Sequence, residues 1–359
     1  MNHENHLDIA NDLWKNDFAQ IVIRKVSNLG TTASLATGSV IGSVGNTPLQ
    51  ALHVRYNGQN YHIFAKLEFM NPSGSIKDRI ARYIIEQAEA KGLLRPGYTI
   101  VEATSGNTGI ALSMVGAARG YKVLIVMPEH MTGERIKIIS NLGADLCLTP
   151  KDQGFEGAIS QAKKIAASSE KFFLTSQFDN PDNVAAHYYG TGREILGQLT
   201  REIDAFVAGV GTGGTLMGVG KALRERNPSI RLVAVEPEEA AILSGRDAMG
   251  DHKIAGIGDG FVPKIFHREF IDEVIAIKSD DAVKMAKTLS REAGLMVGVS
   301  SGANVLASIH VLEEMGDART VVTVLPDRAE RYFSTDLYLS DLKNVRQCSK
   351  YCECPFERR

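Results

Sequence analysis

The chain has 359 residues, 44% of them hydrophobic, which is enough for one large core or two ordinary ones and too apolar for a disordered chain. The 40 Lys and Arg nearly balance the 42 Asp and Glu, and a net charge of −2 argues against a nucleic-acid footprint or a polybasic membrane anchor. No run approaches the roughly 20 apolar residues of a bilayer span, and the polar start MNHENHLDIANDLWKNDF lacks a signal-peptide core, so a cytoplasmic protein is expected.

Short apolar runs alternate with helical patterns from about residue 61. YHIFAKLEF (61–69) reads as a strand. A helix follows over 75–94, where Ile76, Ile80, Ile84 and Ala88 recur every fourth residue and Ser75 can cap. TIVEA (99–103) and KVLIVMP (122–128) read as strands, with helices over 108–120 and 132–142. DLCLT (145–149), a helix near 155–168, FFLTSQ and a helix from about 181 come next. AFVAGV (205–210), RLVAVEP (231–237), VIAIKS (274–279) and TVVTVLP (320–326) are further strands with helical patterns between them. Such β–α alternation predicts parallel sheets covered by helices on both faces.

The two ends stand apart. Residues 1–38 form an N-terminal extension, rich in Ser, Thr and Gly, with a short helix possible around 7–18. Cys147 sits in an apolar stretch and is expected to be a buried hydrophobe. Cys348, Cys352 and Cys354 crowd a C-terminal tail over 343–359. The tail reads first as a mobile reduced segment and second as a soft-metal or redox cluster. The first 347 residues carry no disulfide framework, and no metal is expected in the body of the chain.

Four Gly/Ser-rich loops fall at strand-to-helix junctions, where open α/β sheets bind ligands. In NPSGSIKDR (71–79), Lys77 lies one turn into a helix, where the macrodipole disfavours its charge and eases imine formation with an aldehyde. A solvated lysine is the bland alternative, with Asp78 and Arg79 as a surface pair. TSGNTG (104–109) can nest a carboxylate, or simply cap a helix. GVGTGGT (209–215) matches a dinucleotide fingerprint through Gly209, Gly211 and Gly214 with Glu236 downstream, but its depth in the chain favours a cup for a single phosphate. In GVSSGA (298–303) a serine either caps the next helix or meets a heterocycle nitrogen.

Together these loops resemble, in order, the cysteine synthase/cystathionine β-synthase family of fold type II pyridoxal-phosphate (PLP) enzymes. The likeness extends through KDQGFEGA, TSQFDNPDN, AHYYGTGREI, HKIAGIGDGFVP and LPDRAERYFST and covers about residues 39–340. The resemblance implies an α/β fold of two open, twisted, mostly parallel sheets flanked by helices, with PLP in the cleft between two domains. The smaller, mobile domain would be 71–182 and the larger 39–70 plus 183–342. It implies that Lys77 forms the internal aldimine, that Asn107 meets the cofactor's 3′ oxygen, and that Gly211, Thr212, Gly213, Gly214 and Thr215 hold the phosphate. Ser300 would face the pyridine nitrogen. Thr104, Ser105, Thr108 and Gln177 would hold the substrate carboxylate, and Gly256 would flank the site. The family also implies a homodimer. LPDRAERY departs from many cysteine synthases in carrying Asp327 and Arg328. Residues 1–38 have His3 and His6 but no Cys, which argues against a haem.

A neutral serine cannot hold a pyridine nitrogen protonated, so the ring is a modest electron sink suited to elimination of a β-leaving group. The Lys77 amine is the natural base for the α-proton. The expected function is therefore β-replacement on an activated L-serine through an α-aminoacrylate, foremost O-acetyl-L-serine with sulfide giving L-cysteine. Cystathionine synthesis, O-phosphoserine-dependent amine transfer and cysteine desulfhydration stay open within the family. A non-catalytic partner protein of this fold and a dinucleotide-dependent oxidoreductase are readings from other classes. Amino-acid substrates are expected, and neither nucleic acid nor membrane.

Overall fold

A computed structural model describes residues 39–335 apart from Ser105, 130–132, 247–251, 317–318 and 334. The expected helix around 7–18, His3 and His6, and the three tail cysteines lie outside these residues. All elements below belong to one compact unit beginning at Ser43.

Among the described residues, ten strands form two sheets. The larger has the order β1-β2-β10-β7-β8-β9, built from β1 (Leu49–Tyr56), β2 (Gln59–Lys66), β7 (Ala205–Gly209), β8 (Arg231–Pro237), β9 (Glu273–Ile277) and β10 (Val321–Val324). Only β1 runs antiparallel to its neighbour. The smaller sheet, β5-β4-β3-β6, is wholly parallel and comprises β3 (Thr99–Ala103), β4 (Lys122–Pro128), β5 (Asp145–Thr149) and β6 (Phe172–Leu174).

Burial explains these strands. β10 is buried at every position and lies between β2 and β7, so both its faces need apolar or satisfied residues; its Thr323 hydroxyl donates to the Val207 carbonyl. β1 alternates instead, with Leu52 and Val54 inward, as an edge strand with one wet face should. Sequence reading missed β1. Its signal was Asn57-Gly58, whose φ values of 48° and 82° make the left-handed turn of a tight hairpin.

The helices are α1 (Lys77–Ala90), α2 (Asn107–Arg119), α3 (Gly133–Asn141), α4 (Gly154–Ala167), α5 (Pro181–Ala186), α6 (Arg193–Gln198), α7 (Gly214–Arg226), α8 (Ser279–Ala293) and α9 (Val299–Met315). A π-turn at His187–Gly192 joins α5 to α6. The Asn180 side chain caps α5 by accepting from Asp182 N at 2.9 Å, with Pro181 opening the helix. One core packs the larger sheet against α8 and α9, and a second packs its other face against α7. A smaller core under β3 and β4 meets α4; Cys147 packs against it half-buried, less enclosed than expected. No helix among the described residues is long and apolar enough to cross a membrane.

Candidate active site

The four loops converge at the carboxyl ends of the parallel strands. β3 runs into TSGNTG and α2, and β7 into GVGTGGT and α7. The segment after β10 joins the other two. Ile76 N donates to Pro326 O at 2.8 Å, and Gly298 N donates to Asp327 O at 2.9 Å. Residues 76 and 298 are neighbours of Lys77 and Ser300, so LPDRAERY fixes these two loops to one strand end. A cleft of about 650 Å³ results, lined by Lys77, Thr104, Asn107, Thr108, Gln177, Gly211, Thr212, Gly213, Thr215, Gly256 and Ser300. Gly214 lies buried just behind its wall, and Ser105 lies outside the described residues. A second cavity of about 210 Å³, between Glu102, Phe178 and Phe261, contains no residue of the four loops.

Lys77 is the first residue of α1 rather than one turn inside it, and Ser75 does not act as its N-cap; instead Lys77 N donates to Ser75 Oγ at 3.3 Å. The amine of Lys77 forms no ion pair or hydrogen bond among the described residues. Burial lowers its pKa, against the opposing pull of Asp259 and Asp327. An amine at a helix N-terminus that burial makes easier to deprotonate, open to a cleft, is suited to act as a nucleophile and a base. Asp78 and Arg79 are not a surface pair. Asp78 is buried and accepts from Ser73 N at 2.7 Å and from the Ser73 hydroxyl, and burial raises its pKa to about 6. Arg79 faces away from it, toward Glu68 and Glu194.

The glycines of the third loop are required by close approach. A Cβ on Gly211 would lie 2.2 Å from the Gly256 carbonyl oxygen, and one on Gly214 1.9 Å from Asn183 Oδ1. The loop is thus pressed between the 252–263 segment and α5, with its amides at the start of α7. Asn183 Nδ2 donates to Thr212 Oγ1 at 3.0 Å and to the Gln177 carbonyl at 2.8 Å, linking this loop to Gln177. Glu236 is not available to a ribose: its oxygens accept from Leu243 N at 2.7 Å and from Ser244 N at 3.0 Å. The dinucleotide reading fails on that contact.

Thr108 Oγ1 donates to Gln177 Oε1 at 2.6 Å, so these two expected carboxylate contacts are neighbours. Thr104 accepts from Gly106 N at 3.2 Å. Behind them the buried Glu102 accepts from Gln177 N at 3.1 Å, from Ala103 N at 3.0 Å and from the Thr175 hydroxyl, and burial raises its pKa to about 7. Ser300 is buried in the first turn of α9, whose N-cap is Gly298, so neither serine of GVSSG caps that helix.

Sequence reading left a polar cluster unassigned. Asn107 Nδ2 donates to Asp327 Oδ2 at 2.7 Å, the Tyr332 hydroxyl donates to the same oxygen at 2.5 Å, and Arg331 donates to Asn107 Oδ1. Arg135, His252 and Asp259 also line the cleft. Asp327 was visible as a departure in LPDRAERY; nothing in the sequence brings Arg331 across 224 residues to Asn107.

Residues 40–327 match the family described as pyridoxal-phosphate dependent enzymes. The chain is 46% identical over 299 residues to a cysteine synthase of Staphylococcus aureus, covering 83% of this chain and 96% of that one. It is 48% identical over 295 residues to a cysteine synthase B of Campylobacter jejuni, covering 82% and 96%. A crystal structure of cysteine synthase from Entamoeba histolytica superposes with a TM-score of 0.79 at 42% identity, covering 90% and 95%. Fold and site define an enzyme built around pyridoxal phosphate. The chain belongs to the pyridoxal-phosphate dependent enzyme family.

The residues present fit that cofactor. An unpaired, deprotonation-prone amine can take its aldehyde. A cup that only glycines can form, at the start of a long helix, suits its phosphate.

Proposed function

We propose that this protein is a cysteine synthase, exchanging the acetate of O-acetyl-L-serine for sulfide to give L-cysteine. The observation that carries the reading is the Lys77 amine, without a partner among the described residues, lining the same cleft as the Thr108–Gln177 pair. Bound PLP would supply an electron sink conjugated to the substrate's α-carbon. The protein's own residues do the rest. Thr104, Ser105, Thr108 and Gln177, with the amides opening α2, bind the substrate carboxylate and hold the Cα–H bond toward Lys77 Nζ. Lys77 Nζ takes that proton as acetate leaves Cβ and returns it to Cα after sulfide adds. Gly211, Thr212, Gly213, Gly214 and Thr215 anchor the cofactor phosphate, Asn107 its 3′ oxygen, and the neutral Ser300 its ring nitrogen. Gly256 borders the entrance.

The smaller sheet lies wholly within residues 71–182, and we assign this segment as the smaller domain, which moves over the larger (39–70 plus 183–342) to exclude water. A cytoplasmic homodimer is the expected form.

O-acetyl-L-serine added alone should release acetate once per site and change the visible spectrum of the bound cofactor. Sulfide should then restore the spectrum and yield cysteine. A change with O-phosphoserine or serine but not with O-acetylserine would reassign the substrate, and no change with any of them would refute β-replacement. Lys77→Ala should lower kcat by at least about 10³-fold; an active Lys77→Ala protein would refute the assignment of the base.

A further inference from the structure

His187 has no part in the chemistry above, yet it lies directly behind the phosphate cup. It opens the π-turn, its side chain is 1% exposed, and both its ring nitrogens have partners. Nδ1 is 2.9 Å from Thr191 Oγ1, and Nε2 is 3.3 Å from Thr215 Oγ1. Thr215 lines the cleft in the first turn of α7. The approach is enforced by packing: a Cβ on Gly218 of α7 would lie 2.7 Å from His187 Cβ and 2.3 Å from the Val184 carbonyl oxygen. π-turns interrupt helices at functional sites more often than elsewhere, and this one places a buried imidazole against a helix that begins at the cup.

We propose that His187 is a positioning residue for the cofactor phosphate, acting through Thr215 in the relay Thr191–His187–Thr215. The inference rests on the assignment of Gly211–Thr215 as the phosphate cup.

A neutral imidazole has one N–H. With the proton on Nδ1, Nε2 could only accept, and the Thr215 hydroxyl would turn its single proton away from the cup. With the proton on Nε2, Thr215 Oγ1 accepts from the ring and its own proton is free to point at an anion, while the Thr191 hydroxyl donates to Nδ1. The cup's own residues, Gly211–Thr215, include no Lys or Arg, so hydroxyl orientation matters more there than where a cation neutralises the phosphate. Burial, with Arg79 and Lys77 nearby, holds the His187 pKa well below its ordinary value. The ring therefore acts as a neutral donor and not as the missing cation.

The test uses the full-length chain and compares binding of pyridoxal 5′-phosphate with binding of pyridoxal, which lacks the phosphate. His187→Ala and His187→Asn should weaken pyridoxal phosphate by about 10-fold or more, the scale of a lost hydrogen bond to a charged group. Pyridoxal binding should stay within about 2-fold, because only the phosphate contact is removed. His187→Gln, whose amide can reach the Nε2 position, should recover most of the loss. The ³¹P resonance of the bound cofactor should move in His187→Ala and return in His187→Gln. In a Thr215→Val background, His187→Ala should have no further effect. Equal losses for the two ligands, or an unshifted ³¹P signal, would overturn the proposal. So would a Gln variant no better than Asn, a comparison that holds if the Ala variant fails to fold. A parent protein that binds no pyridoxal phosphate would refute the cofactor reading itself, and this relay with it.

Discussion

Glu102 is a buried residue with no expected chemistry of its own that supports the site from behind. Its carboxyl holds Gln177 and Thr175 from behind the TSGNTG loop. Burial raises its pKa from 4.5 to about 7. Between these values the folded protein keeps a proton that the unfolded chain has released. The stability carried by neutral Glu102 is therefore complete below about pH 4.5 and is lost as the pH rises through about 7. In urea melts across that window, the parent should lose up to about 3 kcal/mol relative to Glu102→Gln, which cannot titrate. A difference independent of pH would show the carboxyl ionised throughout. The strand TIVEA was plain in the sequence, but no role for Glu102 was, because the amide that needs it comes from residue 177.

At the scale of elements, the sequence identified most strands and helices where burial is two-sided or strictly periodic. TIVEA, KVLIVMP, DLCLT and RLVAVEP match β3, β4, β5 and β8 residue for residue. It failed at β1, where only Leu52 and Val54 are buried, and at the π-turn, which has no periodicity of its own. Loops behaved differently: their glycines were visible, but the reason for each was not. Gly211 read as part of a dinucleotide fingerprint or a phosphate cup, and it is also a packing constraint against the Gly256 backbone. A backbone carbonyl cannot rotate away as a side chain can. Gly211→Ala should therefore displace the 252–263 segment and cost about 1–3 kcal/mol of stability, together with a loss of cofactor affinity. Thermal melts and pyridoxal-phosphate titration check this; a variant with the parent's melting point and affinity would show that the segment yields freely.

At the scale of the molecule, a buried ionic network joins α1, which leads to the smaller sheet, to the larger sheet. Arg79 pairs with Glu68 at 2.5 Å and Glu194 at 2.7 Å, and Lys66 of β2 pairs with Glu194 at 2.7 Å. Burial opposes the charge on Glu194, but Arg79 and Lys66 hold its carboxyl down at about 2. Removing one partner leaves carboxylates buried without compensation. Arg79→Ala should destabilise the protein by about 3–5 kcal/mol, measured by chemical unfolding. A loss below about 1 kcal/mol would mean that water replaces the guanidinium.

The sequence by itself determined the α/β class, the positions of four ligand loops and the kind of chemistry they support. Periodicity and glycine placement are local properties, and a lysine beside a turn, a Ser/Thr nest and a glycine cup each carry their own physical meaning. Their order along the chain, read against one enzyme family, turned separate hints into a site. Only the tertiary structure decided that the segment after β10 ties Lys77 to Ser300, that Arg331 and Asp327 hold Asn107, and that His187 stands behind Thr215. Those contacts join residues from 28 to 250 positions apart. No local pattern records them, because each depends on two sheets bringing their strand ends to the same cleft.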